Sequence, residues 1–438
     1  MLDAVLLSRL QFFLTISFHF IFVSISIGLA WWLVIIEWLS WKRSDGEVYL
    51  QTAKFFSKLL AITFITGTAT GIVMEFQIGM NWAGYSKFSG DVFGPLLAAE
   101  GLIAFFMESL FLSLYLFGRN KVSRSVHLLS IFMVAAGSTI SAFWILAANS
   151  WQQTPAGFVI ENGRVVLTDF SEVIFNPSTF QRFFHTLDAT LISGTFFVTG
   201  IASYLILNNR KIDEARKLLR FTIVTGLILS ILQVIPFGHE HAKQVALTQP
   251  EKFAVLEAVQ ITQSNAPFVL FGIPTSGQSD LKWAVKIPGL LSFITFGDAS
   301  ATIKGIKDFP PDEIPPRIIP FFAFRTMVVL SLYFIIITAY GVIQLYRGRL
   351  YNGKRFLRLL VWSLPLPIVA SQLGWIAAEV GRQPWIIYRV MKTTEGATLN
   401  LPASNVLFTL IMFVILYTLI GGLYIYLIRR EINKWIST

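Results

Sequence analysis

Residues 11–36 read QFFLTISFHFIFVSISIGLAWWLVII, a run in which the only ionisable side chain is His19. About 20 apolar residues suffice for a helix to cross a ~30 Å hydrocarbon layer, so this stretch reads as a membrane span. It is too long for the apolar core of a secretory leader, and neither a basic flank nor a small-residue cleavage site frames it, so the N-terminal segment is expected to stay attached. The remainder of the chain repeats the pattern. Its 438 residues are 54% hydrophobic and 14% charged, with a mean hydropathy of +0.64, outside the range of a soluble globular protein. Apolar runs of the same kind recur over 12–38, 55–77, 95–117, 126–148, 184–207, 218–237, 320–345, 357–379 and 404–428. The expected architecture is an all-α integral membrane protein of nine spans, with no separate soluble domain and no internal repeat.

Charge gives the spans a direction. Segments 39–58, 118–126, 208–220, 347–358 and 429–438 hold 20 of the 35 Lys and Arg residues in 64 positions, whereas 1–10, 78–99, 149–184 and 379–402 hold 7 in 92. By the positive-inside rule the first set is cytoplasmic, which puts the N-terminus outside and the C-terminus inside. The chain then divides into helices 1–6 over 1–237, an external loop over 238–319 and helices 7–9 over 320–438. The loop carries GHEHAKQVALTQPEKFAVLEAVQ, a Gly/Ser-rich GIPTSGQSD and a Pro-rich DFPPDEIPPRIIP, and reads as an ordered cap with turns and a helix near 250–262. The cytoplasmic loops account for most of the net charge of +10, so no nucleic-acid partner is implied.

The absence of cysteine excludes disulfides, iron–sulfur clusters and thiolate-held metals; a redox cofactor would have to hang on His, Met or carboxylate. At ~1.5 Å per helical residue, His19, His185, Met327 and Glu379 all fall in the outer leaflet. Imidazole and thioether suit the axial positions of a low-spin haem, while a single His or a carboxylate leaves a site open for oxygen. Arg325, near Met327 in FRTMVV, is suited to haem propionates. Each residue also has an ordinary reading. An intramembrane His can simply bond to a neighbouring helix, Met327 can be packing, and Glu379 can form an ion pair with Arg382 or Arg325.

Helix 3 carries a second constellation in LLAAEGLIAFFMES, where Glu100 and Glu108 lie about 12 Å apart along the axis on broadly one side. Two carboxylates inside a bundle suggest a proton path; the alternative is that each is neutral and bonded to a neighbour such as Ser141 or Thr139. Glu75 and Gln77 read as interface residues at the outer end of helix 2. The His239-Glu240-His241 triplet reads as surface rather than as a metal pair, and His127 as a solvated helix start. No nucleotide-binding loop or nucleophile–base motif is present.

GWIAAEVGRQPW (374–385), ATGIVMEFQIGMNW, AAEGLIAFFMES, FRTMV and QPEKFAVLEA together closely resemble subunit I of the cytochrome bd quinol oxidases, over almost the whole chain. The resemblance implies nine helices, an external quinol-binding loop between helices 6 and 7, and three haems near the outer face, two haem b and one d-type chlorin. It implies that His185 and Met327 ligate the low-spin haem b, and that His19 and Glu379 each serve one of the two high-spin haems. It further implies quinol oxidation at Lys252 and Glu257, a proton route through Glu100, Glu108 and Ser141, and a haem pocket lined by Arg325, Arg382 and Trp375. A second multi-helix subunit, a small single-helix accessory subunit and residence in a prokaryotic cytoplasmic membrane come with the family. Oxygen would be reduced with cytoplasmic protons, giving a proton motive force without pumping. The chain departs from the family pattern in its short loop, in Gln152 where Met is expected and in His239 where an acid is common; the implied ligands are intact. The other classes to separate are a haem b electron carrier that does not reduce oxygen and a proton-coupled transporter, whose inverted repeats and broken helix pairs are not evident.

Overall fold

The computed structural model describes residues 3–273 and 281–437. The Gly/Ser-rich turn expected at 272–280 therefore lies largely outside the described residues. Among these residues nine helices are long and apolar enough to cross a membrane: α1 (Ala4–Lys42), α2 (Gly46–Asn81), α3 (Ala83–Phe117), α4 (Arg124–Gln153), α5 (Thr179–Leu207), α6 (Ile212–Thr248), α7 (Ile318–Tyr346), α8 (Lys354–Val380) and α9 (Ala403–Ser437). Each expected span lies inside one of them, and every helix but α3 and α5, which end with their apolar runs, extends past its run at both ends. Capping and propensity, not hydropathy, set those ends: the Asp3 side chain accepts from Val5 N at the start of α1, and Ser123 Oγ from Val126 N at the start of α4.

The largest difference is in α6, which continues through His239, Glu240 and His241 to Thr248, so the segment joining α6 to α7 begins about three turns later than the expected 238. Its 37 residues span roughly 55 Å, well beyond a hydrocarbon layer, and the last turns join the cap. Two helices contain a π-helical turn, Glu100–Phe105 in α3 and Gln233–Gly238 in α6. Pro236 explains the second, because its missing N–H cannot close the ordinary helical hydrogen bond. In α8 the helix breaks between Ser363 and Leu366, where Pro365 has the same effect.

α5 is the axis of the bundle: 83% of its most apolar window is buried, against 11% for α9 at the periphery. It lies close to α1 because Gly28 and Gly194 meet there; a Cβ on Gly28 would approach the Gly194 backbone nitrogen to 2.9 Å. The main core joins Leu29, Leu33, Phe56, Phe196 and Leu219 across α1, α2, α5 and α6. Apolar side chains that point outward, such as Ile72 on α2, Phe106 on α3 and Leu419 on α9, suit a lipid surroundings in which only the backbone needs internal hydrogen bonds.

The connections after α4, α6 and α8, which alternation of the spans brings to one face, hold structure beyond the expected helices and turns. Strands β1 (Phe158–Glu161) and β2 (Arg164–Leu167) form a hairpin closed by Asn162 and Gly163, both with positive φ, as a tight two-residue turn requires. Two further hairpins follow, β3 (Phe268–Ile273) with β4 (Lys282–Ile287), and β5 (Trp385–Ile387) with β6 (Met391–Lys392). The helix expected near 250–262 is Pro250–Glu257, with Pro in its first turn and Ala258 in the left-handed conformation at its end.

Candidate functional site

The C-terminal half of α8 is the spine of the site. Gln372 Nε2 donates to the Ser17 carbonyl of α1 at 2.7 Å, and Trp375 stacks on Phe13 of α1 with ring centroids 5.7 Å apart. Between them, Gly374 leaves room for the Met327 thioether of α7: a Cβ there would lie 2.8 Å from Met327 Sδ. One turn further, Glu379 meets α4. Its Oε1 accepts from Asn149 Nδ2 at 3.1 Å and Gln153 Nε2 at 3.0 Å, and its Oε2 pairs with Arg382. Arg182 Nη2 stands 3.9 Å from the same carboxylate and also bonds to Asn149 Oδ1. Of the two ion pairs open to Glu379 from sequence, Arg382 is therefore the one formed, because the chain turns back at Gly381–Gln383 through hydrogen bonds to Ala377, Glu379 and Val380 carbonyls.

Arg325 pairs instead with Glu257 of the short helix Pro250–Glu257, and its guanidinium lies 4.6 Å from the Phe268 ring. That helix is buried along its length. Lys252 donates to Gln153 Oε1 at 3.0 Å and to Gln249 Oε1 at 3.2 Å, which places it one side chain from Glu379. Burial first, then Arg182, draws the Lys252 ammonium well below the ordinary lysine range, with Glu379 partly opposing. Burial raises the Glu257 carboxyl, and Arg325 draws it back. Glu251, also buried, accepts from Tyr388 OH at 2.5 Å.

His19 has its Nδ1 3.1 Å from the Gly67 carbonyl and 3.0 Å from Thr70 Oγ1. A carbonyl only accepts, so Nδ1 carries the proton and Nε2 keeps its lone pair. His185 lies beside Gln233 and under the His241 ring, whose centroid is 5.1 Å away. His19 and His185 share no hydrogen bond or ring contact with each other or with Glu379 among the described residues. On α3, Glu100 accepts from Ser141 Oγ at 2.6 Å and Glu108 pairs with Ser138, so both carboxylates do face α4.

Several readings change. His241 is half-buried in α6 against His185, with its Nε2 enclosed, not on a surface loop, because the helix does not stop at Gly238. His127 is buried too: its Nε2 lies 3.0 Å from the Tyr115 carbonyl and its Nδ1 3.8 Å from Glu37, which also pairs with Arg119. Thr139 serves Trp31 Nε1 rather than a helix 3 carboxylate; Ser138 takes that place. Gln77 is buried and donates to Thr15 at 2.7 Å rather than forming an interface. The sequence reading passed over Arg182, Asn149, Gln153, Gln249 and Glu251. Arg182, a charge three residues before His185 at a helix start, was the visible signal; the amides carried none.

The side chains fit a haem. Arg182 Nε, Nε and Nη1 of both Arg325 and Arg382, and Trp385 Nε1 are buried without a hydrogen-bond partner among the described residues. Dry, unpaired N–H groups of this kind call for anionic oxygen acceptors, which propionates supply. No group of three or more His, Asp or Glu among the described residues is arranged to hold a bare metal ion.

A family model described as cytochrome bd terminal oxidase subunit I matches residues 7–436. Among curated proteins, the cytochrome bd ubiquinol oxidase subunit 1 of Bacillus subtilis (strain 168) is 35% identical over 443 residues, covering 99% of this chain and 94% of the relative. The cytochrome bd-II ubiquinol oxidase subunit 1 of Escherichia coli (strain K12) is 32% identical, covering 98% and 96%, and a putative cytochrome bd menaquinol oxidase subunit I of Bacillus subtilis is 31% identical, covering 99% and 97%. The solved structure of bd oxidase from Geobacillus thermodenitrificans superposes with a TM-score of 0.93 at 31% identity, covering 99% of both chains.

Proposed function

Since the chain belongs to the cytochrome bd terminal oxidase subunit I family, a family of haem-bearing, multi-pass membrane subunits that work with a subunit II, we propose that it oxidises quinol at the outer face and reduces oxygen to water. In this reading the N-terminus is outside and the C-terminus cytoplasmic, in a prokaryotic cytoplasmic membrane. His185 and Met327 hold a low-spin haem b; His19 and Glu379 each hold one of two high-spin haems, the second b and the d-type chlorin. Arg325, Arg382 and Trp375 line the pocket, with the unpaired guanidinium donors turned to propionates. When bound, the haems supply one-electron transfer and the iron at which oxygen is reduced.

The observation that carries the reading is the bridge made by Pro250–Glu257, in which Lys252 reaches Glu379 through Gln153 and Glu257 reaches Arg325, two residues before Met327. A quinol against this helix meets an amine whose affinity for a proton burial lowers and a carboxylate whose affinity burial raises, bases able to receive the hydroxyl protons and release them outward. Glu108 with Ser138, then Glu100 with Ser141, form a polar seam between α3 and α4 for protons arriving from the cytoplasm. Proton release on one side and uptake on the other separate charge without a pump. The names of the relatives include both ubiquinol and menaquinol oxidases, so the shared chemistry is quinol oxidation.

Lys252→Met and Glu257→Gln are each expected to slow quinol oxidation by about 10²-fold, the scale of a lost general acid–base group, while the haem spectrum stays as it was. Steady-state oxidation of a reduced quinone, read beside the absorbance spectrum, checks this. Loss of haem in either variant would make the bridge structural instead.

A further inference from the structure

A histidine that binds a metal through one ring nitrogen almost always gives its other N–H to an acceptor, which fixes the ring and raises the basicity of the bound nitrogen. For His185 no carboxylate or backbone carbonyl is hydrogen-bonded to the ring among the described residues. The polar atom beside both ring nitrogens is Gln233 Nε2, 3.3 Å from Nδ1 and 3.4 Å from Nε2. The other end of the same amide, Gln233 Oε1, is buried and has no partner among the described residues. A half-turn of the amide exchanges the two atoms: it gives Oε1 the ring N–H it lacks and gives His185 the acceptor it lacks.

The local backbone is built for this approach. Gln233 opens the π-helical turn Gln233–Gly238 of α6, which the Pro236 interruption stabilises, and π turns re-aim a side chain relative to the regular helix. Gly238 ends the turn, and a Cβ there would lie 2.7 Å from the Gln233 carbonyl, so the turn itself favours glycine, while His185 Cε1, 3.8 Å away, is in ordinary contact. His241 also has an unpaired ring nitrogen nearby, but it meets His185 ring to ring at 60° and forms no hydrogen bond to it.

We propose that Gln233 is a positioning residue for His185, its amide oxygen accepting the ring N–H and thereby setting the orientation of the imidazole and the reduction potential of the haem it holds. The inference rests on the reading of His185 as a low-spin haem ligand. An acceptor on the free N–H strengthens the ligand and favours the ferric state, so its removal raises the midpoint potential and a stronger acceptor lowers it.

The test uses the intact two-subunit oxidase in redox titration of the low-spin haem. Gln233→Met, close in volume but without an acceptor, is expected to shift the midpoint upward, and Gln233→Glu downward, with the low-spin signal kept in both. His241→Leu is expected to leave it in place. Shifts of opposite sign are a signature that loosened packing would not give. Unchanged potentials in both Gln233 variants, shifts of the same sign, or a shift only in His241→Leu would overturn the proposal. In parallel, His185→Ala is expected to lose the low-spin signal; its retention would instead refute the ligand reading and remove the ground beneath the inference.

Discussion

If Glu379 holds a high-spin haem as proposed, replacing it by Gln is expected to remove that haem's signal, abolish oxygen reduction and weaken the fold. The carboxylate is the counter-charge to Arg382, and Arg182 stands 3.9 Å from it; both arginines are buried. A neutral amide leaves these cations facing each other with no anion between them, and breaking one side of a buried pair typically destabilises by about 3–5 kcal/mol. The Asn149 and Gln153 amides both donate to Glu379 Oε1, so a glutamine whose oxygen takes that place keeps them but turns its N–H donors toward Arg382. Glu379→Asp separates the two roles: the charge stays, but the carboxylate is drawn back by a methylene. That variant is expected to hold its stability closer to the parent while still losing the ligand geometry. Thermal unfolding of the purified complex, followed beside its reduced-minus-oxidised spectrum, reads both effects. A Glu379→Gln complex with unaltered haem and unaltered stability would leave the carboxylate without either role.

The second large effect is expected at Met327. Met327→Leu is nearly volume-conserving, so it should cost less than about 1.5 kcal/mol in packing. Yet it removes the thioether, and the haem held with His185 should become high-spin or be lost. Gly374→Ala makes a companion experiment in which the sulfur is retained but pushed. The new methyl would sit 2.8 Å from Met327 Sδ, and the side chain that gives way is the flexible methionine rather than backbone. The expected outcome is a folded protein with a perturbed low-spin spectrum. Electron paramagnetic resonance of the ferric low-spin centre checks both variants, and an unchanged centre in Met327→Leu would remove Met327 from the ligand set.

How much of this was legible in the sequence follows from the physical range of each signal. Hydropathy is a property of long windows, and all nine spans were found by it. It is blind to helix ends, so the apolar run of α6 ends at Phe237 and leaves His241 outside the span. A Pro-interrupted helix with polar residues beyond the break looks like a loop; the π turn at Gln233–Gly238 allows it to continue. Ionisable side chains inside apolar runs are costly and conspicuous, so His19, Glu100, Glu108, Arg325 and Glu379 were all found. Their partners were less visible. Asn149, Gln153, Gln233 and Gln249 are neutral amides with no periodic signature, and only tertiary contact brings them to Glu379, Lys252 and His185. Ion-pair choice was equally hidden: that Glu379 takes Arg382 and Arg325 takes Glu257 depends on how the chain turns at Gly381 and where Pro250–Glu257 docks. The hairpin at Asn162–Gly163 was within reach, since Asn-Gly between apolar residues is a strong turn signal.

The central claim is that quinol electrons leave this protein on oxygen. Oxygen uptake by the purified two-subunit complex supplied with a reduced quinone tests it most directly. The account predicts quinol-dependent consumption of oxygen that disappears in Glu379→Gln; a complex whose haem is reduced by quinol but which takes up no oxygen would contradict it and mark the chain as an electron carrier.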